Sequence, residues 1–149
     1  MKKVLLCFFM ALLFCGYQLN AQGIRFSKAK TWGEVLEQAK KENKLIFLDA
    51  YTTWCGPCKY MQKSVFPKLA VGKFYNANFI NVKMDMEKGE GPDLAQQFAL
   101  TAIPTLLFID GDGKEVHRYV GALEAPAFIS LGKEAIDPAR RNAGGNEMR

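Results

Sequence analysis

Two cysteines, Cys55 and Cys58, stand three positions apart and follow a short apolar segment. At this spacing two thiols can close and reopen a disulfide with little movement of the backbone. A thiolate, rather than a thiol, attacks a disulfide, so such a site must stabilise a negatively charged sulfur. Cys55 falls where a helix is predicted to begin, beside unpaired amide hydrogens and the positive end of the helix dipole. We therefore predict that Cys55 is the exposed attacking thiol and that Cys58, one turn further along, is the buried resolving thiol.

The residues between the cysteines fit this interpretation. Pro57 suits the first turn of a helix because it has no amide hydrogen to lose there, and Gly56 allows a close approach of another chain. A disulfide between cysteines so near in sequence closes too short a loop to constrain much of the unfolded chain. The pair is therefore predicted to react rather than to brace the fold.

The chain begins with the features of a secretory signal. Two lysines precede an apolar run from Val4 to Phe14, and Ala21 provides a small residue at the expected cleavage site. The run is about half of the ~20 residues that span a bilayer, which argues against an anchor helix. We predict a signal peptide over residues 1–21, export to a bacterial periplasm, and no stable membrane insertion after cleavage. Lipid attachment at Cys15, which would tether the protein to a membrane, is the alternative.

Cleavage after Ala21 would remove two of the four cysteines and leave Cys55 and Cys58 as the only thiols. Export takes the protein to an oxidising compartment, where disulfides persist. A structural zinc site usually takes four ligands, and the chain offers only one histidine, His117, besides this pair. We therefore predict no metal and no cofactor. Transfer of copper(I), which needs only two thiolates, stays open as an alternative.

Length and charge limit the classes of protein to which this chain can belong. The chain has 149 residues and a formal net charge of +5, and its charges are mixed along the sequence rather than gathered in a basic block. This pattern gives little support to nucleic-acid binding. Without the leader, the length suits one domain, which we place at residues 22–136. Residues 137–149 are polar and glycine-rich and are predicted to form a flexible C-terminal tail.

The hydrophobic pattern predicts alternating helices and strands. The expected helices begin near Thr31, Cys55, Pro92 and Glu124. The expected strands are Leu45–Leu48, Ile80–Met84, Thr105–Ile109 and Glu115–Val120. This order predicts an α/β fold in which a central mixed β-sheet is flanked by helices on both faces.

Two finer expectations concern side-chain placement. Met61, Val65 and Leu69 recur every four residues beyond the cysteines, which predicts the buried face of one amphipathic helix, interrupted near Pro67. His117 alternates with its neighbours on a predicted edge strand and is expected to face solvent.

The segment Trp54-Cys55-Gly56-Pro57-Cys58 is identical to the motif of the thioredoxins, and the chain resembles the thioredoxin family from about Ile24 to Ile136. Asp49 lies six residues before the first cysteine, where the family has a buried carboxylate. Ile103-Pro104 matches the family's cis-proline segment, and Gly121 matches the glycine after the last strand. The long region from Phe79 to Pro92 and the sequence Cys58-Lys59-Tyr60-Met61 resemble exported thioredoxin-like domains more than small cytosolic thioredoxins. The soluble domains of membrane thiol reductases are similar in this respect.

The resemblance implies a role for each matching residue. Cys55 and Cys58 form the redox disulfide, and Asp49 is a buried carboxyl whose raised pKa lets it accept the Cys58 proton. A cis peptide bond before Pro104 directs the backbone of Ile103 toward the cysteines, where it pairs with an extended client segment. The residues expected to bind the substrate are Trp54, Gly56, Pro57, Ile103, Pro104 and Gly121.

Two positions depart from the family pattern. The family's lysine near the buried carboxylate corresponds to Asn81 by sequence, which leaves that part of the proton relay without its usual partner. Lys59 and Lys83 are interpreted as surface charges that could tune the field at the site. The proline that kinks the family's helix lies later here, at Pro67.

Together these residues predict a thiol–disulfide oxidoreductase. Gly56-Pro57 between the cysteines is similar to the strongly reducing thioredoxins, whose potential lies near −270 mV, against about −120 mV for a dedicated oxidant. We expect a protein-disulfide reductase whose partners are disulfide-containing clients and a membrane thiol reductase that returns the pair to the dithiol. A disulfide isomerase, an oxidant, a non-catalytic binding module and a copper-transfer module are the alternatives.

Overall fold

The computed structural model describes residues 22–141. Its helices are α1 (Trp32–Glu42), α2 (Gly56–Tyr60), α3 (Leu69–Asn78), α4 (Gly91–Gln97), α5 (Ala125–Ile136) and α6 (Pro138–Arg141), and a π-helix spans Met61–Val65. Its strands are β1 (Leu45–Tyr51), β2 (Phe79–Asp85), β3 (Thr105–Ile109) and β4 (Glu115–Val120). The predicted signal peptide lies outside the described residues, as does the predicted tail beyond residue 141.

β1 lies inside the sheet because its residues are apolar on both faces. Ile46, Phe47 and Leu48 are all fully buried. The strand order is β2-β1-β3-β4; β1 runs parallel to β2 and antiparallel to β3, and β3 runs antiparallel to β4. The predicted α/β fold with a mixed central sheet is therefore confirmed.

Two hydrophobic clusters attach the helices to the two faces of the sheet. One cluster joins Phe47 to Tyr75 of α3 and Phe128 of α5, whose rings stack with their centroids 4.1 Å apart. The Tyr75 hydroxyl donates to the Phe128 carbonyl over 2.7 Å, which satisfies a polar atom within the core. The other cluster joins α1 and α4 to the side chains of Ile46 and Leu48. Alternate residues of one strand thus bind helices on opposite faces.

The helix after the cysteines differs from the prediction. α2 ends at Tyr60, the π-helix follows it, and α3 begins only at Leu69. Pro67 ends the helix because proline has no amide hydrogen to donate and its ring clashes with the preceding turn. Met61 and Val65 are buried as expected, but Leu69 is 56% exposed, so its placement on the same buried face was wrong.

His117 is also placed differently from the prediction. Its side chain is 9% exposed and faces α5, with Nε2 3.7 Å from Oε2 of Glu134. Burial lowers the pKa of His117, and the negative charge of Glu134 acts in the opposite direction. The expectation of a solvent-facing histidine was wrong because α5 packs over this part of β4.

An N-terminal strap, residues 23–27, lies along the free edge of β2. Ser27 donates its amide to the Asn81 carbonyl over 2.7 Å, and Ile24 donates to the Phe66 carbonyl over 2.9 Å. An edge strand presents unpaired backbone groups that invite pairing with other chains. The strap covers part of this edge.

A glycine of α3 permits this close approach of the strap. A Cβ atom at Gly72 would lie 2.5 Å from the Gly23 carbonyl oxygen, whereas at Gly33 of α1 the nearest atom is the Thr31 hydroxyl oxygen, 3.9 Å away. We expect Gly72→Ala to lower the free energy of unfolding by about 1–3 kcal/mol through overpacking. Gly33→Ala, the matched control, should raise it by up to about 1 kcal/mol through helix propensity. Urea titration compares the two, and equal stability of the variants would contradict the observed packing.

Candidate active site

β1 delivers the two cysteines to one end of the sheet. The strand ends at Tyr51, and Cys55 is the N-cap residue of α2, with Pro57 in the first turn as predicted. Cys55 and Cys58 form a disulfide with their Cα atoms 5.3 Å apart. The Cys58 amide donates to the Cys55 sulfur over 3.2 Å. A donor aimed at this sulfur would stabilise the negative charge that it carries as a thiolate.

The two cysteines differ less in exposure than predicted. Cys58 is 1% exposed, as expected for the resolving thiol, but Cys55 is itself only 4% exposed. The expectation of an exposed Cys55 is wrong for this oxidised state, because the bond to a buried sulfur draws the Cys55 side chain inward.

Trp54 lies at the surface beside the disulfide. Its side chain is 68% exposed. The indole Nε1 donates to Oε1 of Glu87, in the loop after β2, over 3.0 Å. This hydrogen bond orients the ring next to Cys55. Glu87 was not predicted, because nothing in the local pattern links two residues 33 positions apart.

Asp49, the predicted proton acceptor, lies in β1 and is fully buried. Neither of its carboxylate oxygens has a hydrogen-bond partner among the described residues. Burial raises the pKa of Asp49 to about 7, and the positive charge of Lys83 acts in the opposite direction. A carboxyl group with this pKa can take up and release a proton near neutral pH, as the predicted role toward Cys58 requires.

The cation associated with Asp49 is Lys83. The two residues are register partners across the parallel strands β1 and β2. The Lys83 ammonium lies 5.6 Å from the ring centroid of Tyr51 and 5.7 Å from that of Phe26, so it rests against two aromatic faces. Lys83 is thus an exposed charge that acts on the field at Asp49, as sequence analysis allowed.

Asn81 was matched by sequence to the family's lysine, and that assignment was wrong because the cation that acts on Asp49 is Lys83. Its side-chain amide donates to the Arg25 carbonyl over 3.4 Å and to Oδ1 of Asn76 over 3.1 Å. Asn81 therefore holds the N-terminal strap rather than the proton-transfer site.

The predicted cis-proline segment lies at the same end of the sheet as the cysteines. β3 runs antiparallel to β1 and pairs Thr105 with Ala50, so the start of β3 lies beside the end of β1. The peptide bond between Ile103 and Pro104 is cis, as predicted. Pro104 is buried, while Ile103 is half-buried.

Gly121 attaches the loop after β4 to this segment. Its amide donates to the Pro104 carbonyl over 2.8 Å. Its φ of 118° lies in the left-handed region that favours glycine. The topology thus brings the predicted substrate-binding residues to one end of the sheet; they are Trp54, Gly56, Pro57, Ile103, Pro104 and Gly121.

Residues 22–141 contain no group of three or more His, Cys, Asp and Glu side chains that could hold a metal ion. His117, the other candidate ligand in the sequence, faces Glu134 of α5. Within the same range, every helix is too short or too polar to cross a bilayer.

The chain is similar to proteins of one family. The family model of the thioredoxin-like domain matches residues 32–136. The thioredoxin of Echinococcus granulosus is 42% identical over 93 residues, which cover 62% of this chain and 80% of that protein.

Solved structures extend the comparison. That of a candidate disulphide-isomerase from Bacteroides thetaiotaomicron is 44% identical, with a TM-score of 0.70 over 80% of this chain and 98% of that one. The oxidised C-terminal domain of DsbD from Neisseria meningitidis shares the fold at 22% identity, with a TM-score of 0.60 over 74% of this chain and 97% of that one.

Asp49 should make the stability of the protein depend on pH. Its pKa is about 7 in the folded protein against a usual value of 3.8, so the unfolded chain releases this proton at lower pH. The free energy of unfolding should therefore fall as the pH rises from about 4 to about 7. Asp49→Asn cannot ionise and should be more stable than the parent by up to about 4 kcal/mol at pH 8, but by little at pH 3.5.

Urea unfolding of the oxidised proteins at the two pH values measures this difference. Lys83→Gln is a useful companion variant, because removal of the opposing charge should raise the pKa of Asp49 further. A stability gain of equal size at pH 3.5 and pH 8 would contradict a buried carboxyl that titrates near neutrality.

Proposed function

The chain belongs to the thioredoxin-like family of thiol–disulfide oxidoreductases, and from that premise we propose that it reduces protein disulfides in an extracytoplasmic compartment. The observation that carries this proposal is the placement of Cys55 at the start of α2, where its sulfur accepts the amide hydrogen of the more deeply buried Cys58. One sulfur is thereby prepared to attack, and the other is held within reach to complete the exchange.

The first step joins the protein to its client. With both cysteines reduced, the Cys55 thiolate attacks one sulfur of the client disulfide, and the client's other sulfur leaves as a thiolate. The client strand pairs with the backbone of Ile103, beside the cis peptide bond of Pro104. Trp54 supplies the exposed apolar surface next to the bond that forms.

The second step releases the client. Cys58 loses its proton to Asp49 and attacks the Cys55 sulfur, which breaks the mixed disulfide and forms the Cys55–Cys58 disulfide. The client leaves with both of its sulfurs reduced, so two electrons have passed from the protein to the client. A pKa of about 7 suits Asp49 to accept this proton at neutral pH.

The proposal also includes export of the protein and reduction of its Cys55–Cys58 disulfide after each reaction. The leader pattern of residues 1–21 supports secretion, to a periplasm if the source is bacterial. An oxidising compartment does not supply the reductant that would convert the Cys55–Cys58 disulfide back to two thiols, so we propose a membrane thiol reductase as the electron donor. Lipid attachment at Cys15 would place the same chemistry at a membrane surface.

Disulfide isomerisation is the second candidate function. The 44% identical structure from Bacteroides thetaiotaomicron carries the description of a candidate disulphide-isomerase. An isomerase leaves the client with a rearranged disulfide rather than two thiols. Recovery of activity from scrambled ribonuclease, in the absence of added reductant, separates this function from net reduction.

Cysteine substitutions test the two steps separately. Cys55→Ser should abolish the acceleration of insulin reduction by dithiothreitol and leave only the uncatalysed rate, because the attacking sulfur is lost. Cys58→Ser should retain the attack and stall at the mixed disulfide, so clients should be recovered covalently bound to Cys55 from a periplasmic extract. Retention of insulin reduction by Cys55→Ser would exclude the proposed enzyme and favour a binding module.

The redox potential tests the direction of electron flow. Equilibration with glutathione buffers, followed by mass spectrometry of the Cys55–Cys58 pair, should give a value near −270 mV, whereas about −120 mV would favour a dedicated oxidant. Tight binding of one copper(I) ion per chain together with weak insulin reduction would favour the copper-transfer module instead.

A further inference from the structure

Tyr60, two residues beyond Cys58, makes a contact that the reaction described above does not use. It is the last residue of α2, and its hydroxyl donates a hydrogen bond to Oε1 of Glu124. Glu124 is the N-cap residue of α5, yet its side chain makes no capping hydrogen bond there. A polar side chain at this position ordinarily accepts the free amides of the first helical turn. The Glu124 carboxylate reaches across to α2 instead.

Met61, the residue after Tyr60, makes a second contact with the loop between β4 and α5, residues 121–124. Leu123 donates its amide to the sulfur of Met61 over 3.2 Å, and Met61 is fully buried. We call the two contacts, Tyr60 to Glu124 and Met61 to Leu123, the loop bridge. Because Gly121 of the same loop donates to the Pro104 carbonyl, the loop bridge connects the cysteine helix to the cis-proline segment.

The cysteine helix needs such support because it is short. α2 has five residues, and the hydrogen bonding then changes: the Phe66 amide donates to the Met61 carbonyl, five residues back, over 2.9 Å. A helix interrupted by a π-turn has less rigidity of its own than a continuous α-helix. Contacts at the junction between Tyr60 and Met61 therefore influence where the cysteine turn sits relative to Pro104.

We propose that the loop bridge sets the separation between the cysteines and the Ile103–Pro104 backbone, and that Tyr60 is a positioning residue for extended protein clients. Such a client must contact the cysteine helix and the Ile103–Pro104 backbone at once, whereas a small disulfide needs only access to the Cys55 sulfur. The loop bridge thus selects protein disulfides over small ones. This inference rests on the proposed function.

Steady-state kinetics of Tyr60→Phe, Glu124→Met and the double variant test the proposal. The measured quantity is kcat/KM for insulin divided by that for hydroxyethyl disulfide. Each single substitution should lower this ratio about fivefold, mainly through a higher KM for insulin, because a hydrogen bond to a charged group is lost. The double variant should lose no more than either single one, because both remove the same contact. Tyr119→Phe on β4 is the matched control and should keep the parent ratio.

Titration of the tyrosines by ultraviolet absorbance checks the contact itself. The hydrogen bond to Glu124 raises the pKa of Tyr60, so Glu124→Met should lower it. An unaltered ratio in either single variant, additive losses in the double variant, or an unshifted Tyr60 titration would each overturn the inference. A parent protein that reduces neither disulfide would contradict the proposed function itself, whereas an active parent with unaltered variants would contradict only the loop bridge.

Discussion

The site depends on the abrupt change from strand to helix between Tyr51 and Gly56. β1 is buried on both faces and paired on both sides, so its end is fixed in the fold. The chain must then turn within four residues into a helix whose first amides have no partner in a preceding turn. Cys55 stands at this boundary, and its sulfur accepts the amide of Cys58. The reactivity of the site is therefore a consequence of where the strand ends.

The same strand contributes a side chain that opposes stability. Asp49 points a carboxyl group into the interior without a hydrogen-bond partner among the described residues, and an ionised carboxylate is costly there. Lys83, across the strand pair, offsets part of this cost but leaves the pKa near 7. A fully paired carboxylate would stay ionised throughout the neutral range and could not accept a proton from Cys58. Stability and proton transfer thus make opposite demands on one residue.

Sequence predicted the parts of the site that a short motif or a fixed spacing carries. These include the cysteine helix, the buried carboxyl and the cis bond before Pro104. It failed where strand register decides: Asn81 and Lys83 share one face of β2, and alternation cannot tell which of them lies opposite Asp49. It also missed the pair of Tyr60 and Glu124, because exposed polar residues 64 positions apart leave no periodic signal.

Selective alkylation of the reduced protein shows which of the two cysteines is the attacking sulfur. Reduced protein is treated briefly with iodoacetamide at pH 7, and the modified cysteine is located by mass spectrometry. We expect Cys55 to be modified first, and faster than the thiol of a free cysteine peptide, while Cys58 stays protected. Modification of Cys58 first, or a rate at Cys55 no greater than that of the peptide, would contradict the assignment of Cys55 as the attacking sulfur.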